Sequence, residues 1–351
     1  MLADMLKPKR LEPGDKVAAI SMSWGGPGTF PHRYEAGKRQ LQEAFGLKVV
    51  ETRHALRSAE WLERNPRARA DDLMEAFADP SIKAIISTIG GDDSMRLLPY
   101  LDLEVMRANP KIVMGYSDTT VTHLACLAAG LVSFYGPAIM AGFGENGGLF
   151  PYMVKSVRRT LFSSQPVGIV EPNSEGWTVE FLDWAEPENQ LRKRKLNPAQ
   201  GWNYLQGEGA RRGHLIGGCL EVLDWLRGTD VWPDLETWRD AILFLETSEG
   251  APSPTRVLRI LRAFAAMGIL KRLSGILFGR PGGEVPLEQF QEYDSVLLQV
   301  VADEEGLAEL PIISGMDFGH TDPIFVLPYG VKAEIDCDRR QFALTEAAVV
   351  D

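Results

Sequence analysis

Cysteine is scarce in this chain: Cys126, Cys219 and Cys337 are the three among 351 residues, widely spaced and without a CxxC pair. An odd set of that kind builds neither a disulfide framework nor a zinc site, and it fits a reducing cytosol. Long apolar runs are missing as well. No segment reaches the roughly 18–20 apolar residues of a membrane span, and the opening MLADMLKPKRLEPGD has no apolar stretch long enough for a signal peptide. Positive charge is in deficit, with 37 Lys and Arg against 48 Asp and Glu and a formal net charge of −11. Nucleic-acid binders neutralise phosphates with clustered basic residues, so a nucleic-acid polymer is excluded as partner, and only RKRK at 192–195 runs the other way. The expectation is a cytoplasmic protein with no membrane partner and a small-molecule or peptide substrate.

What is present is globular: 45% hydrophobic and 24% charged residues with no low-complexity tract, enough for a full core in a chain of this length. In the first half, short apolar runs alternate with helical patterns. KVAAISM (16–22) ends in SWGGPG, HRYEAGKRQLQEAF (32–45) is closed by Gly46, and LKVVE (47–51) follows. RADDLMEAFAD (69–79) reads as an amphipathic helix, KAIISTI (83–89) as a buried strand, SMRLLPYL as a short helix, and KIVMG (111–115) as a strand leading into DTTVTHLACLAAG. This order predicts a mostly parallel sheet with helices on both faces, whose ligands lie beyond the strand carboxyl ends. Three such ends, SWGGPG (23–28), GGDDS (90–94) and GYSDT (115–119), would converge. Residues 166–212 are rich in Pro, Asn, Glu and Gly and read as a linker between an N-terminal domain (1–165) and a smaller C-terminal α/β domain (213–351). The latter offers strands at 241–246, 275–279 and near 311–314, 324–328, 331–336 and 341–345.

Ser117 sits at a strand-to-helix corner, where it can cap a helix or present its Oγ to the helix N-terminus as a nucleophile. Asp118 can take the cap or first-turn role, which leaves Ser117 free. A nucleophile needs a base, and there are five histidines. His123 is six positions on, about 240° around the helix and roughly 9 Å along it, so it cannot reach back. His32, His54 and His214 read as surface residues. His320, in SGMDFGHTDP between two apolar runs, lies in a loop that can aim an imidazole. A carboxylate must orient that ring, and Glu246, at the end of AILFLE, is buried and needs a partner; Glu249 reads as more solvated. In GGDDS, Asp92 and Asp93 lack a third hard ligand at motif spacing, so no metal is expected, while Gly91 can offer its N–H to an oxyanion. SWGGPG matches no phosphate-binding motif and reads as a tight turn. In the linker, Trp177, Trp184, Trp202 and Tyr204 either staple it to the body or form a stacking wall, with 192–195 near for a phosphate.

These residues sit in segments that together resemble one family. LEPGDKVAAIS, STIGGDDSMRLLPYLD, GYSDTT, FYGPAIM, GHLIGG, ILFLETSE, GILFGRP and GMDFGHTDP follow one another as in the LD-carboxypeptidase family of serine peptidases, and most resemble its microcin C immunity branch. The resemblance implies an N-terminal Rossmann-like (flavodoxin-like) sheet domain, a cytoplasmic homodimer, and neither metal nor organic cofactor. It implies Ser117 as nucleophile, His320 as base then acid, Glu246 orienting it, and an oxyanion hole from the Gly91 and Asp118 N–H groups. Substrates of the family are murein tetrapeptides cut at an L,D-amide; those of the branch are amides joining an acidic amino acid to a nucleotide-like sulfamate or phosphoramidate. The long loop with Trp202 and Tyr204 favours the branch and makes both expected substrate contacts. Where the family usually reads GGNL this chain has GGCL, so Cys219 stands at a substrate-contacting Asn. Two rivals remain at this stage: a catalytically silent protein that sequesters a peptide or nucleotide conjugate, and an esterase of α/β-hydrolase type, for which GxSxG and HGGG are missing.

Overall fold

The computed structural model describes residues 5–351. Its first part runs β1 (Lys16–Ile20), α1 (Gly26–Thr29), α2 (Pro31–Phe45), β2 (Lys48–Glu51), α3 (Ala59–Arg64), α4 (Pro66–Ala78), β3 (Ile82–Ser87), α5 (Leu103–Ala108), β4 (Ile112–Gly115), α6 (Thr120–Ala128), β5 (Phe134–Tyr135) and α7 (Pro151–Leu161). There follow β6 (Gly168–Ile169), β7 (Asn203–Gln206), β8 (Ala210–Cys219), α8 (Leu220–Leu226), β9 (Ala241–Glu246), α9 (Pro254–Ala266), β10 (Gly275–Gly279), α10 (Phe290–Leu298), β11 (Ile312–Met316), β12 (Leu327–Pro328), β13 (Lys332–Asp336) and β14 (Gln341–Leu344).

The first sheet has the order β12-β5-β4-β3-β1-β2, all parallel except the β12–β5 pair. From β2 to β5 that is the flavodoxin-like order, with its switch point between β1 and β3. β4 is buried along its whole length, which is why IVMG reads as an unbroken apolar run. α2 starts on Pro31 and stops where Gly46 turns left-handed at φ 70°, as the sequence marked. The expected helix at 94–101 is a 3₁₀ turn, and α3 and α7 were not anticipated.

The second sheet, order β6-β14-β13-β8-β9-β10-β11-β7, is parallel from β8 to β11 and antiparallel at both flanks. It has eight strands against six in the first, although the C-terminal region was expected to be the smaller; the linker supplies β6 and β7. The strand near 324–328 shrinks to β12 and leaves the C-terminal sheet to pair with β5, Leu327 opposite Tyr135. Among the described residues no helix is long and apolar enough to cross a membrane.

Between the sheets a buried ion pair ties down the loop after β11. Arg280 donates to Asp317 Oδ1 at 2.9 Å, with side chains 4% and 2% exposed. Arg280 also stacks on Trp177, while Asp317 Oδ2 accepts from Trp202 Nε1 at 2.7 Å and Asn173 N at 3.0 Å. One carboxylate thus fixes the linker at two points to the loop that carries His320. Removing the cation leaves that carboxylate buried and unpaired, so Arg280→Met is expected to destabilise the fold by about 3–5 kcal/mol, read from urea unfolding midpoints.

Candidate active site

Ser117 lies one residue beyond β4, after Tyr116, and has φ 60°, left-handed backbone that costs a non-glycine residue roughly 1–3 kcal/mol. The turn is held by specific bonds: Ser117 N–H donates to Tyr135 Oη at 3.0 Å, and Thr120 Oγ1 donates to the Ser117 carbonyl at 2.7 Å. Gly90 lies alongside, where a Cβ would come within 3.0 Å of Ser117 Oγ. The corner therefore projects Ser117 into an open cavity of about 570 Å³ that His320 also lines.

At the end of β9, Glu246 is fully buried and accepts His320 Nδ1 at 2.6 Å through Oε2. Its other oxygen accepts the Tyr135 hydroxyl. Gly319 (φ 94°) makes room for this pairing, since a Cβ there would sit 2.6 Å from Glu246 Oε2. The outer nitrogen, His320 Nε2, meets Glu249 Oε2 at 3.0 Å rather than Ser117. Burial works against the charged imidazole, but the Glu246 and Glu249 carboxylates outweigh it and hold His320 well above its ordinary pKa. Its hydrogen bond to His320 pulls Glu249 down to about 2.

Asp118 does not cap its own helix. Its Oδ2 accepts the backbone N–H groups of Asp93 (3.2 Å) and Ser94 (2.9 Å), and Ser94 Oγ donates to the Asp118 carbonyl. Asp93 in turn pairs with the buried Arg69 at 2.5 Å, so GGDDS serves as a structural clasp. No group of three or more potential metal ligands occurs among the described residues. The clasp brings Gly91 (φ 143°) beside Ser117, and the Gly91 and Asp118 N–H groups have no acceptor among the described residues.

The other expected contacts lie elsewhere. Trp202 is buried against Phe325 and Phe342, and Tyr204 lies under the Arg340 guanidinium; both border a separate cavity of about 150 Å³. The reason is the path of the linker, whose 203–206 stretch becomes the edge strand β7 beside β11. Cys219 is buried opposite Glu246 in the β8–β9 ladder, donates its thiol to Glu221, and does not line the cavity. The cavity's aromatic wall is made instead by Trp24, Phe30, Tyr116, Phe181 and Trp184, of which the sequence reading offered only Trp184 as a stacking residue, one of several linker aromatics. Arg194 lines the cavity, yet its guanidinium is taken up by Glu145 and Asp322. His123 bonds Ser133 Oγ and the Gly115 carbonyl, both at 2.9 Å, and burial lowers it to about 4, a neutral core histidine. Sequence reasoning missed Tyr135, although it quoted the FYGPAIM motif that contains it.

Two family models cover this architecture: the LD-carboxypeptidase N-terminal domain matches residues 17–136 and the LD-carboxypeptidase C-terminal domain residues 212–335. The chain belongs to the LD-carboxypeptidase family. It is thus a serine peptidase by membership. It is 33% identical to a Vibrio cholerae protein named as a carboxypeptidase, over 97% of this chain and 98% of the relative. To the Escherichia coli microcin C7 self-immunity protein MccF it is 32% identical, over 95% and 94% of the two chains. A solved structure of MccF with aspartyl sulfamoyl adenosine superposes with a TM-score of 0.82 at 31% identity, covering 98% of this chain and all of that one. Ser117, Gly91 and Tyr135 fall within the N-terminal match; Cys219, Glu246 and His320 fall within the C-terminal match. The intervening stretch, outside both, brings Phe181, Trp184 and Arg194 to the cavity. Because Glu249 helps to keep the imidazole charged, Glu249→Gln is expected to lower the His320 pKa, which ¹⁵N NMR titration of the ring would show; an unchanged or raised value contradicts the assignment.

Proposed function

We propose that this member of the family is an amidase in which Ser117, His320 and Glu246 act as nucleophile, base and orienting acid on an aminoacyl-nucleotide conjugate. The observation that carries the reading is the Glu246–His320 pair at 2.6 Å opening on the same cavity as a left-handed Ser117. Substrate entry draws Glu249 away from Nε2, and without that carboxylate the imidazole releases its Nε2 proton to solvent and stands neutral. His320 Nε2 then takes the Ser117 proton as Oγ bonds to the amide carbonyl carbon, and the oxyanion falls to the free Gly91 and Asp118 N–H groups. The tetrahedral adduct collapses, the C–N bond breaks, and His320 returns the proton to the departing nitrogen. Water, deprotonated by the same imidazole, hydrolyses the acyl-enzyme. Glu246 fixes the tautomer and balances the imidazolium throughout.

The aromatic wall supports the nucleotide-bearing substrate over a murein peptide. Trp184 has Arg33 over its ring at 4.7 Å and Phe30 edge-on at 6.0 Å, a rigid mount for stacking a planar base. MccF has been solved with aspartyl sulfamoyl adenosine, and an MccF-like protein from Streptococcus pneumoniae with AMP, at a TM-score of 0.85 and 29% identity. The family resemblance extends the proposal to a cytoplasmic homodimer divided near residues 165 and 212, with the nucleophile in the first unit and Glu246 and His320 in the second.

Incubating the protein with aspartyl sulfamoyl adenosine and, separately, a murein tetrapeptide, with products read by mass, tests the substrate: the first is cleaved, and cleavage of the tetrapeptide alone refutes the nucleotide reading. Ser117→Ala is expected to lose turnover by at least about 10³-fold and all labelling by a fluorophosphonate. Trp184→Ala should weaken binding of the adenosine conjugate by about 1–3 kcal/mol, measured by calorimetry on the Ser117→Ala background.

A further inference from the structure

Tyr135 is 1% exposed and closes a chain between two sheets. Its hydroxyl oxygen accepts the Ser117 N–H at 3.0 Å and donates its proton to Glu246 Oε1, while Glu246 Oε2 holds His320 Nδ1. The backbone repeats the arrangement, for Tyr135 pairs with Gly115, two residues before the serine, and with Leu327 on β12, the next strand after His320. We propose that Tyr135 is a positioning residue for the reaction, a buried phenol that locks the backbone of the nucleophile on one sheet to the carboxylate of the acid–base pair on the other. This rests on the Ser117–His320–Glu246 reading and adds a fourth member that never touches the substrate.

Both ends of the lock are groups that need a partner. The Ser117 N–H meets no backbone carbonyl among the described residues, and a buried N–H left unpaired costs about as much as a lost hydrogen bond. Glu246 is buried with one oxygen on an imidazole, so its second oxygen needs a donor of its own. A phenol, with one proton to give and lone pairs to accept, serves both with a single atom. Phe244 at 5.5 Å and His123 at 5.7 Å, centroid to centroid, fix the ring so that its hydroxyl has one place to be. Burial and the neighbouring Glu246 push the phenol well above its ordinary pKa, which keeps it a donor.

The lock also tempers the carboxylate. A hydrogen bond given to Oε1 draws charge from Glu246 and weakens its pull on the His320 proton. The other titratable groups facing this unit are Glu249 on the loop after β9, Cys219 on β8, His123 on α6, which burial lowers to about 4, Tyr116 before the serine and Tyr329 after β12. Burial raises Cys219, Tyr116 and Tyr329 well above their ordinary values, so they stay neutral while His320 titrates.

Tyr135→Phe tests the inference against Tyr293→Phe, which removes an equally buried phenol whose hydroxyl donates to the Pro252 carbonyl away from the cavity. With aspartyl sulfamoyl adenosine, Tyr135→Phe should lower kcat about tenfold or more with KM within twofold, and move the acid limb of the kcat/KM–pH profile to higher pH. Tyr293→Phe should leave both within twofold. A Tyr135→Phe enzyme with unchanged kcat and pH profile, or one no worse than Tyr293→Phe, overturns the inference. Should Tyr135→Phe fail to fold, hydrogen exchange on the wild-type protein decides: the Ser117 amide is expected to be as protected as the β4 core, and exchange at the rate of an open loop overturns the lock. Full turnover by Ser117→Ala would instead sink the triad reading itself, so the two failures are told apart.

Discussion

A carboxylate with no access to water is the constraint from which the site follows. Glu246 ends β9 inside the molecule, and an ionised group there is tolerable only if each oxygen finds a donor. Those donors come from opposite directions: His320 from the loop after β11 and Tyr135 from β5 of the other sheet. Satisfying one charge therefore fixes the imidazole ring, its tautomer and the distance between the two sheets. The glycine at 319 is the steric condition for it, because any side chain there would collide with the carboxylate.

Ser117 answers a different demand. Its strained turn needs outside support, and the support is shared: the phenol from β5 takes its N–H, Thr120 its carbonyl, and Asp118 turns away from the helix to clasp the loop after β3. That clasp leaves the N–H groups of Gly91 and Asp118 beside the serine without acceptors among the described residues. Unpaired backbone donors are expensive to keep.

Much of this was legible in the sequence, for reasons that are local. Apolar runs ending in Gly, Ser, Asp or Glu mark strand carboxyl ends, so Ser117 and Gly91 could be placed at one edge of the first sheet and Glu246 at the end of a buried strand of the second, and alternating strands and helices imply a mostly parallel sheet. His123 could be set aside by helical geometry alone. The linker was not legible in the same way, because 166–212 has no period to say which way the chain turns; Trp202 became a core residue under Phe325 and Trp184 a cavity wall. Glu249 read as solvated, and it is exposed, but the loop folds it onto His320 Nε2. Tyr135 looked like any buried aromatic, since nothing in FYGPAIM shows that the hydroxyl faces a carboxylate more than a hundred residues away.

The same long-range logic joins the cavity wall to the histidine loop. Arg194 in the linker is clamped between Glu145, after β5, and Asp322, two residues after His320. Thr178 and Asp322 exchange backbone hydrogen bonds at 2.8 and 3.0 Å, a second strap between the same segments. A buried ionic cluster of this kind adds little net stability, because desolvating its charges offsets most of the Coulomb gain. What it does supply is a fixed geometry: the stretch bearing Phe181 and Trp184 cannot move without moving the loop that aims His320. A change of substrate in this architecture is thus constrained from both sides, since a linker rebuilt for a new ligand must still deliver a cation to Asp322.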